Sequence, residues 1–185
     1  MSKVYVFLAE GFEEIEALMV VDLLRRAQCD VTCVAIMHDL KVKGRSNIEV
    51  MADVLYEDVA SFEDADLLVL PGGMPGTRYL EQHEGLRGLL VKQLDAGKKI
   101  AAICAAPTVF GKMGLLKEKA ATCYPGMEDE LFCKEAKTDK VVVDGLITTS
   151  RGLGTALEFS LELISQLEGD ERAKNVAKSV VFLEK

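Results

Sequence analysis

The chain has 185 residues, 49% hydrophobic and 28% charged, which suits one compact soluble domain of roughly 150 residues or a little more, and one domain over residues 1–185 is expected. Counting 22 Lys+Arg against 30 Asp+Glu gives a net charge of −8, and the densest basic stretch, Lys41 to Arg45, holds only three charges. Phosphate binding needs clustered Lys and Arg, so a nucleic-acid partner is not expected. The first apolar run, Val4 to Ala9, stops at Glu10 and is too short for a signal or membrane-spanning segment, which predicts a cytoplasmic protein with no membrane attachment.

Five cysteines (Cys29, Cys33, Cys104, Cys123, Cys133) are odd in number and show no C-x-x-C spacing, so they read as reduced thiols. The two histidines, His38 and His83, stand apart from other metal-binding side chains, and no metal is expected.

In chain order, Val4 to Leu8 is almost continuously apolar, as in a strand buried on both faces. Glu13 to Arg26 has helical spacing through Ile15, Leu18, Met19 and Leu23, and Arg25 and Arg26 suit its last turn. Val31 to Met37 is a second strand. Leu40 to Met51 reads as a hairpin turning near Lys43 to Ser46, with Gly44 in the turn. Leu67 to Leu70 is a buried strand that ends abruptly at Pro71-Gly72-Gly73. A helix from Glu84 to Ala96 ends at Gly97, a strand spans Lys99 to Ile103, and a helix spans Ala105 to Met113. Ala120 to Cys123 is a short strand. Val141 to Val143 and Leu146 to Thr149 form a hairpin around Asp144-Gly145, and helices over Thr155 to Leu167 and Asp170 to Val180 close the chain.

Alternating buried strands and helices predict an α/β sandwich around a largely parallel sheet. Such sheets bind ligands beyond the carboxyl ends of their strands. The segments to inspect are therefore Ala9 to Glu16, Pro71 to Gly76, and Cys104.

Ala102-Ile103-Cys104-Ala105-Ala106, between a strand and a helix, has the small-x-nucleophile-x-small form of a nucleophile elbow. A helix N-terminus there, with Pro107 in its first turn, predicts a lowered Cys104 pKa and a thiolate. Gly72 and Gly73 free backbone N–H groups to face an oxyanion. Among Glu10, Glu13, Glu14 and Glu16, the acids Glu13 and Glu14 are sufficiently explained by the first helical turn. Glu16 lies one step from the apolar face and is able to point over the sheet toward Cys104. Gly152-Leu153-Gly154 is only half of a dinucleotide fingerprint, and a capping box of Thr155 with Glu158 accounts for it instead; no cofactor is expected.

Four segments, EGFEEIEA, LVLPGG, AAICAAPTVF and ITTSRGLGTALEFSL, occur in the order of the ThiJ/PfpI superfamily. The chain most closely resembles its DJ-one-like branch, which includes the bacterial YajL-type proteins, over essentially its whole length. The resemblance implies a flavodoxin-like three-layer fold and a homodimer. It also implies that Cys104 is the oxidation-prone cysteine, that Glu16 hydrogen-bonds it, and that Gly73 is a backbone donor of the oxyanion site. Arg26 corresponds to an arginine near the dimer interface, to which Met19 and Val20 are expected to contribute. Ala105 stands where the protease-like branch has histidine, so a peptidase lacks its base. Tyr124-Pro125 replaces the His-Pro of human-type members, and no histidine after His83 serves amidotransferase chemistry.

Such a protein is expected to be a cofactor-free glyoxalase- or deglycase-like enzyme acting on a small carbonyl. Cys104 attacks, Gly73 and Ala105 N–H groups stabilise the oxyanion, and Glu16 moves a proton. The alternative is a redox sensor or redox-regulated chaperone in which Cys104 stops at sulfinate.

Overall fold

Strand β1 (Lys3–Leu8) is buried along nearly its whole length, a burial available only inside a sheet covered on both faces. The computed structural model, which describes residues 1–183, places it there. After β1 come α1 (Glu14–Arg26), β2 (Asp30–Ala35), the hairpin β3 (Lys41–Lys43) and β4 (Glu49–Met51), and the short β5 (Val54–Leu55). Next are β6 (Leu67–Leu70), α2 (Gly76–Gln82), α3 (Glu84–Asp95), β7 (Lys99–Ile103) and α4 (Pro107–Lys112). The two-residue strands β8 (Ala120–Ala121) and β9 (Glu135–Ala136) pair with each other. The hairpin β10 (Val141–Asp144) and β11 (Ile147–Ser150) leads to α5 (Ala156–Glu168) and α6 (Asp170–Ser179).

The seven-stranded sheet runs β10-β11-β7-β6-β1-β2-β5, and every pairing but β10–β11 is parallel. Side chains alternate across it, as the period of two requires. Val4, Val6 and Leu8 meet the core formed with α1, α5 and α6; Tyr5 and Phe7 meet the core formed with α2, α3 and α4. The result is the predicted flavodoxin-like three-layer α/β architecture. No helix among the described residues is long and apolar enough to cross a membrane.

Several local expectations change. Helix α2 starts inside the Pro- and Gly-rich stretch that reads as a loop, and its seven residues are too few to show a clear period. Helix α1 is turned relative to the expected face. Of the expected face Leu23 is buried but Ile15 is 44% exposed, and the buried apolar residues are Ala17, Val20, Val21, Leu23 and Leu24. Val20 therefore belongs to the protomer's own core and not to a surface open to a second copy. Thr155 and Glu158 form no capping box: Thr155 Oγ1 donates to Gly152 O at 2.9 Å, and Glu158 pairs with Lys140 at 2.6 Å.

Glu14 has a larger role than stabilising the first helical turn. It is 2% exposed, and its Oε1 accepts from Ser46 N–H at 2.8 Å and Ile48 N–H at 3.4 Å, tying the β3–β4 turn to α1. Gly44 is needed for this close approach, because a Cβ there would run into the Glu14 carboxyl. Glu13 is buried as well and pairs with Arg45 at 3.3 Å.

Removing a buried acceptor leaves its donors unsatisfied, at about 1–3 kcal/mol. Glu14→Ala is thus expected to lower the urea midpoint by an equivalent amount and to speed amide exchange at Ser46 and Ile48. An unchanged midpoint with unchanged exchange would refute this role.

Candidate active site

From β1 the sheet grows to one side through β2 and β5, and the chain then crosses back to add β6 and β7 on the other side of β1. At this switch point the connections at the carboxyl ends separate and open a crevice. The segments leaving β1, β6 and β7 bring Glu16, Gly72-Gly73 and Cys104 to its floor.

Cys104 follows β7 directly with φ +66°, a left-handed conformation that carries a steric penalty of roughly 1–2 kcal/mol for an L-residue. Two backbone bonds hold it: Cys104 N–H donates to Ser150 O at 3.0 Å, and Tyr124 N–H donates to Cys104 O at 2.8 Å. The sharp turn lifts the half-buried thiol out of the sheet. Backbone N–H groups of Ala105 and Gly73 lie close enough to its sulfur to pull the thiol pKa down.

Glu16 reaches the same point from α1. It is 1% exposed, its Oε2 accepts from Gly72 N–H at 2.9 Å, and the carboxyl packs against Cys104, the two meeting over Gly72. Both glycines are required sterically. A Cβ on Gly72 would lie 2.7 Å from Glu16 Oε2 and 2.9 Å from Ile103 O. Gly73 has φ +91°, and a Cβ on it would strike the backbone of Glu13 and Gly11. Glu13 N–H donates to Gly72 O at 2.9 Å, which closes the loop onto the start of α1.

Burial pushes the Glu16 carboxyl up to about 7, against the hydrogen bonds from Cys104 and Gly72 that pull it down. The Cys104 thiol is pushed up to about 12, first by burial and then by the charge of Glu16, while the Ala105 and Gly73 N–H groups pull it down. This corrects the expectation of a lowered Cys104 pKa. Helix α4 has only six residues and begins three positions later, at Pro107, so its dipole is a weak counterweight to burial beside a carboxylate. Near neutral pH the pair therefore holds at most one negative charge, and it lies on Glu16 and not on the thiol.

Residues 2–166 match the model of the DJ-1/PfpI family. The chain belongs to the DJ-1/PfpI family. It is 42% identical over 180 residues to Protein DJ-1 homolog A of Arabidopsis thaliana, an alignment covering 97% of this chain and 46% of that protein. The chain thus spans about half the length of that relative. Over 171 residues it is 33% identical to the glutathione-independent glyoxalase DJR-1.2 of Caenorhabditis elegans, covering 91% of this chain and 90% of that one. Its fold superposes on the structure of oxidized Toxoplasma gondii DJ-1 with a TM-score of 0.94 at 36% identity, covering 98% of both chains.

Within this family fold, Cys104, Glu16, Gly73 and Ala105 lie together around one sulfur atom. Tyr124 stands at the rim, 52% exposed, with its ring against Gly152. His38 is exposed and remote in the chain, and His83 is engaged elsewhere: its Nδ1 accepts from Leu86 N–H at 3.0 Å as the cap of α3. The sequence pattern offers Gly72 as an oxyanion donor beside Gly73, whereas its N–H is the group that holds Glu16. The carbonyl of Ser150 carries no sequence signal, because any residue offers one.

A carboxyl whose pKa rises from about 4.5 to about 7 on folding binds its proton more tightly in the native state. Stability is therefore full below pH 4.5 and falls as pH rises toward 7, by about 3 kcal/mol for this group. Glu16→Gln is expected to abolish that part of the fall in urea titrations and to be the more stable protein at pH 8. Parallel pH profiles for parent and variant would rule out the raised carboxyl.

Proposed function

We propose that this protein converts 2-oxoaldehydes to 2-hydroxy acids through a Cys104 thiohemiacetal, in glyoxalase III-like or deglycase-like chemistry. The observation carrying the proposal is a half-buried thiol on a left-handed elbow with a buried carboxyl, held by Gly72 N–H, packed against it. The glyoxalase name of the C. elegans relative supports it.

The thiol, pushed up to about 12, keeps its proton at rest, and Glu16, at about 7, is the group beside it that ionises. Glu16 takes the thiol proton as the substrate arrives, which places the charge on sulfur and the proton on the carboxyl. The thiolate adds to the aldehyde carbon. Charge moves one bond outward to the carbonyl oxygen, where the Gly73 and Ala105 N–H groups meet it. Glu16 delivers its proton to that oxygen and becomes the base. It then removes the hydrogen from the former aldehyde carbon and returns it to the neighbouring carbon of the enediol. The first carbon is thereby oxidised to a thioester as the second is reduced to an alcohol, with no external oxidant. Water hydrolyses the thioester, releasing the 2-hydroxy acid and restoring the thiol. Tyr124 offers a hydroxyl at the rim for orienting the substrate.

The test is lactate formation from methylglyoxal in amine-free buffer, with many equivalents per protein expected. Glu16→Gln keeps a hydrogen-bond donor beside the sulfur but carries no transferable proton, so turnover should fall by roughly a hundredfold or more. Parental turnover in that variant would overturn the proton-shuttle mechanism. A second reading, a redox sensor or redox-regulated chaperone, draws on the same two N–H groups, which also suit the oxygens of a sulfinate. The oxidized state named for the Toxoplasma relative favours it. Absent turnover in the parent, with unaltered peroxide oxidation of Cys104, would decide for that reading.

We further propose a cytoplasmic homodimer. Exposed Ile15 and Ile48, at 44% and 54%, flank the Glu14 contact between α1 and the β3–β4 hairpin and provide apolar surface for a second copy. Arg26 is tied to Asp22 of its own helix at 3.0 Å and has no further role in this reading. Light scattering at tens of micromolar, a rough scale for stable dimers, is expected to give twice the chain mass, and Ile15→Asp to shift the protein to monomer. A monomeric parent would refute the dimer.

A further inference from the structure

Three backbone segments converge on Cys104. Gly73 and Ala105 turn their N–H groups to its sulfur, and Tyr124 N–H bonds its carbonyl. Beyond the elbow the same segments wall a cavity of about 150 Å³ lined in part by Met74, Thr77, Arg78, Thr108 and Met127. Its walls are bonded back to the residues that hold Cys104. Thr77 Oγ1 donates to Gly73 O at 2.9 Å, Thr108 Oγ1 to Ala105 O at 2.8 Å, and Met127 N–H to Tyr124 O at 3.1 Å. Met74 follows Gly73 directly, which joins the rim of the cavity to the loop beside the sulfur.

The lining has a definite chemistry. Two thioethers offer an adaptable apolar surface. Both threonine hydroxyl protons are committed to carbonyls. Glu81, Glu130 and Lys112 also border the cavity, and the Lys112 ammonium sits between the two carboxylates, 3.0 Å from Glu81 and 2.9 Å from Glu130, which leaves it no free charge. Arg78 differs: among the described residues its guanidinium has no ion pair and no side-chain hydrogen bond. A guanidinium stays charged and presents several N–H donors in a plane that matches a carboxylate.

We infer that Arg78 is a specificity residue, selecting 2-oxoaldehydes that carry a carboxylate two or three carbons from the reacting carbonyls. The aldehyde meets Cys104, the chain passes Met74 along the thioethers, and the carboxylate reaches Arg78. Methylglyoxal, with only a methyl group, leaves the cavity unused. This inference rests on the oxoaldehyde reading of the elbow. The chemistry there is unchanged: 4,5-dioxopentanoate plus water gives 2-hydroxyglutarate, with the aldehyde carbon oxidised and the ketone carbon reduced.

Two measurements test it separately from that reading. The first compares kcat/KM for 4,5-dioxopentanoate and methylglyoxal. The parent should favour the anion by at least about tenfold, the scale of one charge-assisted hydrogen bond. In Arg78→Gln the ratio should fall toward one, and Arg78→Lys should retain part of it. A ratio near one in the parent, or an unaltered ratio in Arg78→Gln, overturns the inference. The second needs no turnover: 2-hydroxyglutarate and lactate compete with iodoacetamide at Cys104, followed by peptide mapping. 2-Hydroxyglutarate should protect at concentrations about tenfold lower than lactate, and Arg78→Gln should erase the difference. If neither aldehyde is turned over, the enzymatic reading falls while this protection still decides the subsite. Equal protection by the two acids in the parent refutes it. Arg78 is exposed and bonds nothing through its side chain, so its replacement leaves the fold intact.

Discussion

A carboxyl and a thiol buried side by side can hold one negative charge between them but not two, and the surroundings of Glu16 and Cys104 are arranged within that limit. Glu16 is nearly inaccessible and receives one backbone N–H from Gly72. The sulfur is partly open, and the Gly73 and Ala105 N–H groups beside it pull its pKa down. Burial outweighs these donors, so the resting proton stays on sulfur and the carboxyl is the group that ionises. That distribution suits a nucleophile with an adjacent base, which takes the thiol proton as the sulfur attacks.

Holding both groups in place needs a well-defined backbone, and here backbone atoms do most of the holding. The left-handed Cys104 is pinned by Ser150 O on one side and Tyr124 N–H on the other. Gly72 and Gly73 bring the loop after β6 against the start of α1, closer than any side chain would permit. Glu14, two residues before Glu16, binds α1 to the β3–β4 hairpin. The strained elbow persists because several parallel-strand ends over-determine it. By contrast, Met74 and Tyr124 at the rim are exposed and make few commitments, so residue identity there changes what enters without disturbing the pair.

The sheet was legible in the chain because strands covered on both faces must be apolar at nearly every position, as Val4 to Leu8 and Leu67 to Leu70 are. The elbow was legible because a tight strand-to-helix turn admits only small side chains beside its central residue, and Ala102, Ala105 and Ala106 supply them around Cys104. The inward face of α1 was not. Apolar residues occupy more than one side of that helix, and the choice of side depends on Glu14 and Glu16 both finding partners within the fold. Helix α2 was hidden by Pro75 and Gly76, which mark a loop as readily as a first helical turn.

The sequence by itself determined the three-layer α/β architecture, the position of Cys104 at a strand end, and the family to which the chain belongs. The first two follow from short-range patterns, the period of two or of 3.6 and the size of neighbouring side chains; the family follows from the resemblance of four motifs in order. Only the tertiary structure decided the charge state of the site. A helix N-terminus alone predicts a lowered thiol pKa, whereas the folded protein buries the sulfur against a carboxylate 88 positions earlier in the chain, and both groups move upward. Desolvation and charge repulsion depend on what is near in space, and Glu16, Gly72 and Cys104 become neighbours only when β1, β6 and β7 align their carboxyl ends.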